Sequence, residues 1–220
     1  MIPFKDNIPT DATPVVTLGL IAANVVLYVV AALHGGSLIS GPDARELAKY
    51  GAIPNALTWD RVFTSMLMHA SILQLLGNMA FLWWFGNTIE DAVGAIRFFG
   101  IYLVGGVCAV GVLVLLDPDS TATFVGAGGA VSAVLGGYTV LYRGARVLTL
   151  VLIPLLFTVV EVPVLVMLVL WFAMQAAFAV TGLIDGAAYV GEIGAFLLGA
   201  LTIRLLATNR KPVPPTRVVS

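Results

Sequence analysis

The chain has 220 residues, of which 60% are hydrophobic and 10% charged, and its formal net charge is −1. Soluble globular proteins carry about 45–50% apolar and about 25% charged residues, so this chain has too little polar surface to cover a water-soluble body. The composition excludes an ordinary soluble protein and predicts one integral membrane domain surrounded by a lipid bilayer. The low net charge offers no basic patch for a nucleic acid, and the single cysteine, Cys108, excludes an intrachain disulfide.

Six apolar segments follow one another along the chain, and each has about the 20 residues that an α-helix needs to cross a bilayer. They cover residues 15–33, 65–85, 96–116, 123–142, 162–180 and 187–206. We therefore predict an all-α membrane protein, a bundle of six transmembrane helices within a domain of residues 1–206. Residues 207–220 form a short basic tail that is predicted to be disordered.

Three further segments have a distinctive composition. Residues 34–64 mix charged and aromatic side chains, which predicts a loop that lies partly in the membrane interface. Residues 147–157 are apolar but too short to span the bilayer and contain Pro154, so we expect a loop or a half-buried cap. The fourth apolar segment is rich in glycine and other small residues, which let helices approach closely in lipid, so it is predicted to be central.

The distribution of lysine and arginine predicts that both termini are cytoplasmic, because cytoplasmic loops carry the excess of these residues. With the N-terminus inside, the inner segments hold Lys5, Arg97, Arg143, Arg146, Arg204, Arg210, Lys211 and Arg217. The outer segments hold Arg45, Lys49 and Arg61. An even number of spans agrees with this topology.

Polar side chains within apolar spans are costly and are candidates for function. His69, Gln74 and Asn78 lie in the second segment, Gln175 in the fifth and Glu192 in the sixth. Gln74 and Asn78 are one helical turn apart and share a face, where their ordinary role would be interhelical hydrogen bonding. Glu192 either packs as a satisfied carboxyl group or faces a water-filled cavity.

Several motifs occur in the order found in the rhomboid intramembrane serine proteases, and the chain resembles this family over residues 1–206. Residues 59–61 (WDR) match its W-x-R element, residues 64–69 (TSMLMH) and 75–79 (LLGNM) match the second span, and residues 85–91 (FGNTIED) match the following loop. Residues 125–130 (VGAGGA) align with its G-x-S-G motif and residues 191–196 (GEIGAF) with its A-H-x-G-G-F motif. Scaffold positions of the family are retained at Trp59, Arg61, His69, Glu90, Gly126, Gly129, Gly194 and Gly199.

The resemblance implies a six-helix fold with a partly membrane-embedded first loop and a fourth helix packed against the sixth. Gly191, Ala195 and Gly199 form the small-residue face expected for that packing. In active members a serine on the fourth helix attacks the scissile carbonyl, and a histidine on the sixth helix acts as the general base. Backbone N–H groups with a histidine and an asparagine of the second helix hold the oxyanion.

This chain departs from the family at three of those four side chains. The serine position is Gly128, the histidine position is Glu192 and the oxyanion histidine is Gln74, whereas Asn78 is retained. The resemblance therefore implies a pseudoprotease, a protein that binds client transmembrane helices without cleaving them. No catalytic dyad, cofactor or metal site is predicted, since His69 and Glu192 lack a third potential zinc ligand.

Two alternatives stay open at this point. A relocated nucleophile, Ser132, lies one turn after Gly128, about 6 Å further along the helix, and would make the protein a divergent endopeptidase with Glu192 as its base. The second alternative is a proton-coupled carrier that uses Glu192, although no inverted repeat supports it. The compact six-span form resembles prokaryotic members, which favours a prokaryotic plasma membrane.

Overall fold

The computed structural model of the protein describes residues 2–153, 156–180 and 186–214. Nine α-helices are present in this part of the chain, and a π-helical turn, Leu82–Gly86, joins the fourth to the fifth. The helices are α1 (Val15–His34), α2 (Ala44–Tyr50), α3 (Trp59–Ser65), α4 (Ile72–Phe81), α5 (Asn87–Val93), α6 (Ala95–Leu116), α7 (Gly128–Leu141), α8 (Val164–Val180) and α9 (Gly186–Leu206). The strands are β1 (Ile2–Asp6), β2 (Gly36–Ser37), β3 (Gly41–Pro42), β4 (Arg146–Ile153) and β5 (Leu156–Pro163).

The protein is an all-α membrane bundle, as predicted. In the described residues α1, α6 and α9 are long and apolar enough to cross a membrane, and α7 and α8 are shorter apolar helices. At 1.5 Å per residue, the 20 residues of α1 reach about 30 Å, the thickness of the hydrocarbon core. The first loop folds into α2, a single 3-10 turn at Pro54–Ala56 and α3.

The second apolar segment begins later than predicted. Residues 65–85 were expected to form one helix, but α3 ends at Ser65 and α4 begins only at Ile72. The hydroxyl group of Ser71 accepts a hydrogen bond from the N–H of Gln74 and so caps the start of α4. From there the helix continues through the π turn to Val93, and His69 lies in the loop before it.

Two further predicted boundaries differ from the structure. The fourth segment, expected to begin at residue 123, is extended up to Ala127, because the backbones of Phe124 and Ala52 exchange two hydrogen bonds. Residues 147–153 and 156–157, expected as part of a loop or cap, belong to the antiparallel strands β4 and β5, and Pro154 lies outside the described residues. Strand β1 pairs with β4, which completes an antiparallel sheet of order β1-β4-β5 where α7 ends and α8 begins.

Helix α7 occupies the centre of the bundle, because its residues from Gly128 to Tyr138 are all buried. It packs against α9 with almost no space between the two backbones. A Cβ atom at Gly136 would lie 2.8 Å from the carbonyl carbon of Phe196, and one at Gly199 would lie 2.7 Å from that of Ala133. The predicted packing of the glycine-rich helix against the sixth span is therefore confirmed. Gly191, which was expected on the same face, meets α6 instead, because a Cβ atom there would lie 2.6 Å from the carbonyl oxygen of Ala109.

Buried carboxylates hold the N-terminal segment against the bundle. Glu90 accepts hydrogen bonds from the backbone N–H groups of Val16 and Thr17 and from the Thr17 hydroxyl, at 2.7–2.9 Å, so it caps the start of α1. Asp91 accepts from the N–H groups of residues 11 and 12. On β1, Asp6 accepts hydrogen bonds from the hydroxyl groups of Thr88 and Tyr138.

The C-terminal residues that the structure describes return to the same end of the bundle. The N–H groups of Thr208 and Asn209 both donate to the carbonyl oxygen of Ala92, and Lys211 forms an ion pair with Asp11. The prediction of a disordered tail also covers residues 215–220, which lie outside the described residues.

Replacing Gly199 by alanine should destabilise the bundle, because the new methyl group meets the backbone of Ala133, which cannot rotate away. Overpacking of this kind costs about 1–3 kcal/mol, so we expect a lower apparent Tm in detergent. The matched control is Gly111→Ala on α6, where a Cβ atom meets nothing within 4 Å. Equal apparent Tm values for the two variants would contradict the close packing of α7 and α9.

Candidate functional site

The predicted site residues converge on the extended segment that leads into α7. Gly126 has a φ of +129°, a conformation that side chains rarely adopt, and a Cβ atom there would lie 2.6 Å from the Nε2 atom of Gln74. Its N–H group donates to the carbonyl oxygen of Ser65 at 2.9 Å. Because glycine has no side chain, the segment before α7 can pass close to both Ser65 and Gln74 at this position.

Gln74 holds this segment in place with both ends of its amide group. Its Nε2 atom donates to the carbonyl oxygen of Val125 at 3.0 Å, and its Oε1 atom accepts from the N–H group of Ala70 at 2.8 Å. The side chain thus bridges the loop before α4 and the segment before α7. One N–H group of the amide is therefore committed to the protein's own backbone.

Asn78 and His69 form a second polar contact beside the first. The Asn78 amide nitrogen lies 3.1 Å from the His69 Nε2 atom, and the N–H group of Ala127 lies 3.4 Å from the same atom. Because Nε2 accepts from both donors, the ring proton is assigned to Nδ1. Both side chains are buried, so Asn78, which the resemblance aligns with the oxyanion asparagine, contacts His69 rather than open space.

Gly128, which aligns with the family's nucleophile, is in contact with the side chain of Glu192 on α9. A Cβ atom at Gly128 would overlap the Oε1 atom of Glu192 and lie 2.9 Å from its carboxyl carbon. The other carboxyl oxygen, Oε2, accepts a hydrogen bond of 2.5 Å from the Nε2 atom of Gln175 on α8. Since Gly128 opens α7, the carboxyl group lies at the positive end of that helix dipole, where an acid is stabilised. Gly128 and Glu192 are therefore complementary in shape.

Ser132 is completely buried one turn below Gly128. In the part of the chain that the structure describes, its hydroxyl oxygen has no hydrogen-bond partner. A serine nucleophile needs a base within hydrogen-bond reach. The structure thus places Ser132 next to the site but gives it no bonded base among those residues.

The remaining scaffold positions lie outside this site. Trp59 and Arg61 are on α3, where the Trp59 side chain is 74% exposed. Glu90 caps α1, as described above. Gly129 and Gly194 keep α6 close, because a Cβ atom at either would crowd Ala109 or Val112 of that helix.

Gln175 is a site residue whose role the sequence did not predict. It was recognised as a polar residue in the fifth span, but its pairing with Glu192 depends on how α8 packs on α9. Gln175 and Glu192 lie on different helices, so no sequence spacing indicates that they are in contact. The available signal was that both residues are buried polar groups that require partners in lipid.

The shape complementarity between Gly128 and Glu192 can be measured by a double-mutant cycle. Gly128→Ala should lower the apparent Tm in the wild-type background, because its methyl group overlaps the Glu192 carboxyl group. In a Glu192→Ala background the same change should cost less, with a coupling of about 0.5–3 kcal/mol. Additive effects of the two substitutions would show that the two positions are not in contact.

Comparisons with known proteins agree with the geometry. A family model described as the Rhomboid domain matches residues 56–209. The chain is 29% identical over 130 residues to the rhomboid protease GluP of Bacillus subtilis, covering 57% of this chain and 24% of that protein. It is 33% identical over 102 residues to RHOMBOID-like protein 7 of Arabidopsis thaliana, covering 44% of this chain and 32% of the relative. It therefore spans at most about a third of the length of these relatives.

Proposed function

Because the chain belongs to the rhomboid family, we propose that it is a pseudoprotease, an integral membrane protein that binds transmembrane segments of client proteins without cleaving them. The observation that carries this proposal is the contact between Gly128 and Glu192. The position of the nucleophile has no side chain. The position of the base carries a carboxyl group that occupies the space a nucleophile would need.

The chemistry of hydrolysis supports the same conclusion. Loss of the serine alone costs a well-studied serine protease about a million-fold in turnover. What would remain is stabilisation of the oxyanion, which requires hydrogen-bond donors aimed at the developing charge. Here Gln74 donates to Val125 and the Asn78 amide contacts His69, so both candidate donors already have partners within the protein.

Binding of a helix without cleavage needs a route from the lipid to the site. We propose that clients enter between α4 and α8, and that helices weakened by glycine or polar residues are preferred. Such helices would leave the lipid at a lower cost than uniformly apolar ones, because their backbone and side chains could bond the polar groups of the site. Bound clients would be sequestered or stabilised.

The arrangement in the membrane is part of the proposal. We propose that six segments cross the bilayer, α1, the continuous helix from α4 to α5, α6, α7, α8 and α9. Both termini would lie in the cytoplasm, in agreement with the excess of lysine and arginine in the inner segments. A prokaryotic plasma membrane is the proposed location.

A divergent endopeptidase is the second candidate, and one observation favours it. The Ser132 hydroxyl is buried close to the site and has no hydrogen-bond partner among the described residues. A hydroxyl group in that state could be a nucleophile if Glu192 moved to accept its proton. The experiment below separates this candidate from the pseudoprotease.

The purified protein, reconstituted in liposomes, should neither react with a fluorophosphonate probe nor cleave a generic transmembrane substrate. The double variant Gly128→Ser/Glu192→His should label with the probe, because it restores a hydroxyl group beside an imidazole base. Labelling is read by in-gel fluorescence and cleavage by the appearance of a new substrate terminus.

The matched control is Gly128→Ala/Glu192→His, which has the same imidazole and nearly the same volume but no hydroxyl group at position 128. Labelling of the Ser/His variant above this control would assign the reaction to residue 128. Labelling or cleavage by the wild type that disappears in Ser132→Ala would overturn the pseudoprotease and establish the second candidate.

A further inference from the structure

Glu192 is an acid in an apolar helix with a neutral partner. Its side chain is buried, and the group that donates to its carboxyl oxygen is the uncharged amide of Gln175. The two ion pairs found among the described residues, Arg146 with Glu161 and Lys211 with Asp11, do not include it. Acids inside membrane spans cost about 2.5–3.5 kcal/mol and usually pair with a cation or line a functional pathway.

The position of this carboxyl group is fixed by the most rigid part of the bundle. Its helix, α9, packs backbone to backbone on α7 at Gly136 and Gly199. The Oε1 atom lies against Gly128, at the start of α7. A hydrogen-bond acceptor held in this way is preorganised, so a ligand would not have to order it on binding.

Helix α8 covers the other side of the carboxyl group, and in the described residues it meets α4 and α9 through side chains, while its backbone is anchored at Val164, whose N–H group donates to the carbonyl oxygen of Ala145. Trp171 packs at a tilt on Phe81 of α4 with ring centroids 4.3 Å apart, and Phe172 packs edge to face on Phe196 of α9 at 5.1 Å. The Gln175 hydrogen bond is the polar contact of α8 with the site. Side-chain contacts of this kind can be exchanged without breaking any backbone packing.

A helix that reaches Glu192 must displace Gln175 and leave the carboxyl group without its donor. An unpaired polar group in a buried site is costly, so the incoming helix has to supply a replacement. An apolar helix cannot do this. A hydrogen bond from an ammonium or guanidinium group to a carboxylate is roughly twice as strong as one between neutral groups, so a cation would more than replace the amide.

We propose that Glu192 selects client transmembrane helices that carry a lysine or arginine at its own depth in the bilayer, with the cation taking the place of the Gln175 amide. This proposal rests on the client-binding function proposed above and names the class of client. Glu192 is the seventh residue of α9, so it lies about 9 Å along the helix from Gly186. The client's cation has to reach the same level.

The test uses photo-crosslinking in liposomes between the full-length protein and designed 20-residue host helices rich in leucine and alanine. One host carries a lysine at the level of Glu192. A second carries it at the mirror-image depth in the other leaflet, where the cost of insertion is the same, and a third carries leucine at both positions. We expect the first host to bind about tenfold more tightly than the other two, read from crosslink yield against host density.

Variants of the protein assign the preference to the carboxylate. Glu192→Gln keeps the size of the side chain but removes the charge, and should reduce the ratio between hosts to less than about twofold. Glu192→Asp keeps the charge and should retain part of the preference. Glu46→Gln makes the same chemical change on the exposed helix α2 and should leave the ratio unchanged. Each variant is first shown to be monodisperse and helical.

The outcomes separate this proposal from the one it rests on. Equal crosslinking of all three hosts by the wild type, or an unchanged ratio in Glu192→Gln, would overturn cation selection while leaving client binding intact. If no host were crosslinked above the level that random encounters in the bilayer give, client binding itself would be overturned.

Discussion

The backbone contact between α7 and α9 is the constraint on which the rest of the structure depends. Glycine at positions 136 and 199 lets each helix touch the main chain of the other, and this leaves no room for a side chain at either position. Lipid tails are as apolar as leucine, so such close packing, rather than a hydrophobic effect, drives the association of helices in a membrane. The contact also fixes the start of α7 against Glu192, which determines the geometry of the site.

The residues at the two positions that the resemblance aligns with the dyad fit each other. A serine at position 128 would need the space that the Glu192 carboxyl group fills, and a shorter side chain at 192 would leave that space empty. Empty volume in a close-packed interior is destabilising, and so is overlap. The pair therefore stabilises the fold as a unit, and it does so at the place where an active relative would keep its reactive groups. These two residues are part of the packing of the bundle.

Much of the fold could be predicted from the sequence, because composition and the length of apolar runs follow directly from the thickness of the bilayer. The ends of α1, α6 and α9 fall within about one residue of their predicted positions. The start of α4 could not be predicted from hydropathy, since residues 66–70 are as apolar as a helix and only the cap at Ser71 marks the boundary. The hairpin of β4 and β5 was missed for a similar reason, because a short apolar run does not distinguish strand from loop.

For the site, the residue identities could be predicted but the contacts could not. The resemblance pointed to Gly128, Glu192, Gln74 and Asn78, and the structure brings them to the same end of α7. Their hydrogen bonds depend on partners far away in the sequence or on backbone groups, as with the carbonyl oxygen of Val125 that accepts from Gln74. Sequence patterns carry no information about such partners, which are determined by how helices cross.

The cap on α1 has a consequence for the order in which the protein is made. The N–H group of Val16 is bonded to a carboxylate 74 residues later in the chain. At roughly 5–20 residues per second, a ribosome needs about 4–15 seconds to synthesise the intervening segment. During that time the opening turn of α1 lacks this cap. Helix α1 thus reaches its final hydrogen bonding only after α4 and α5 have been synthesised.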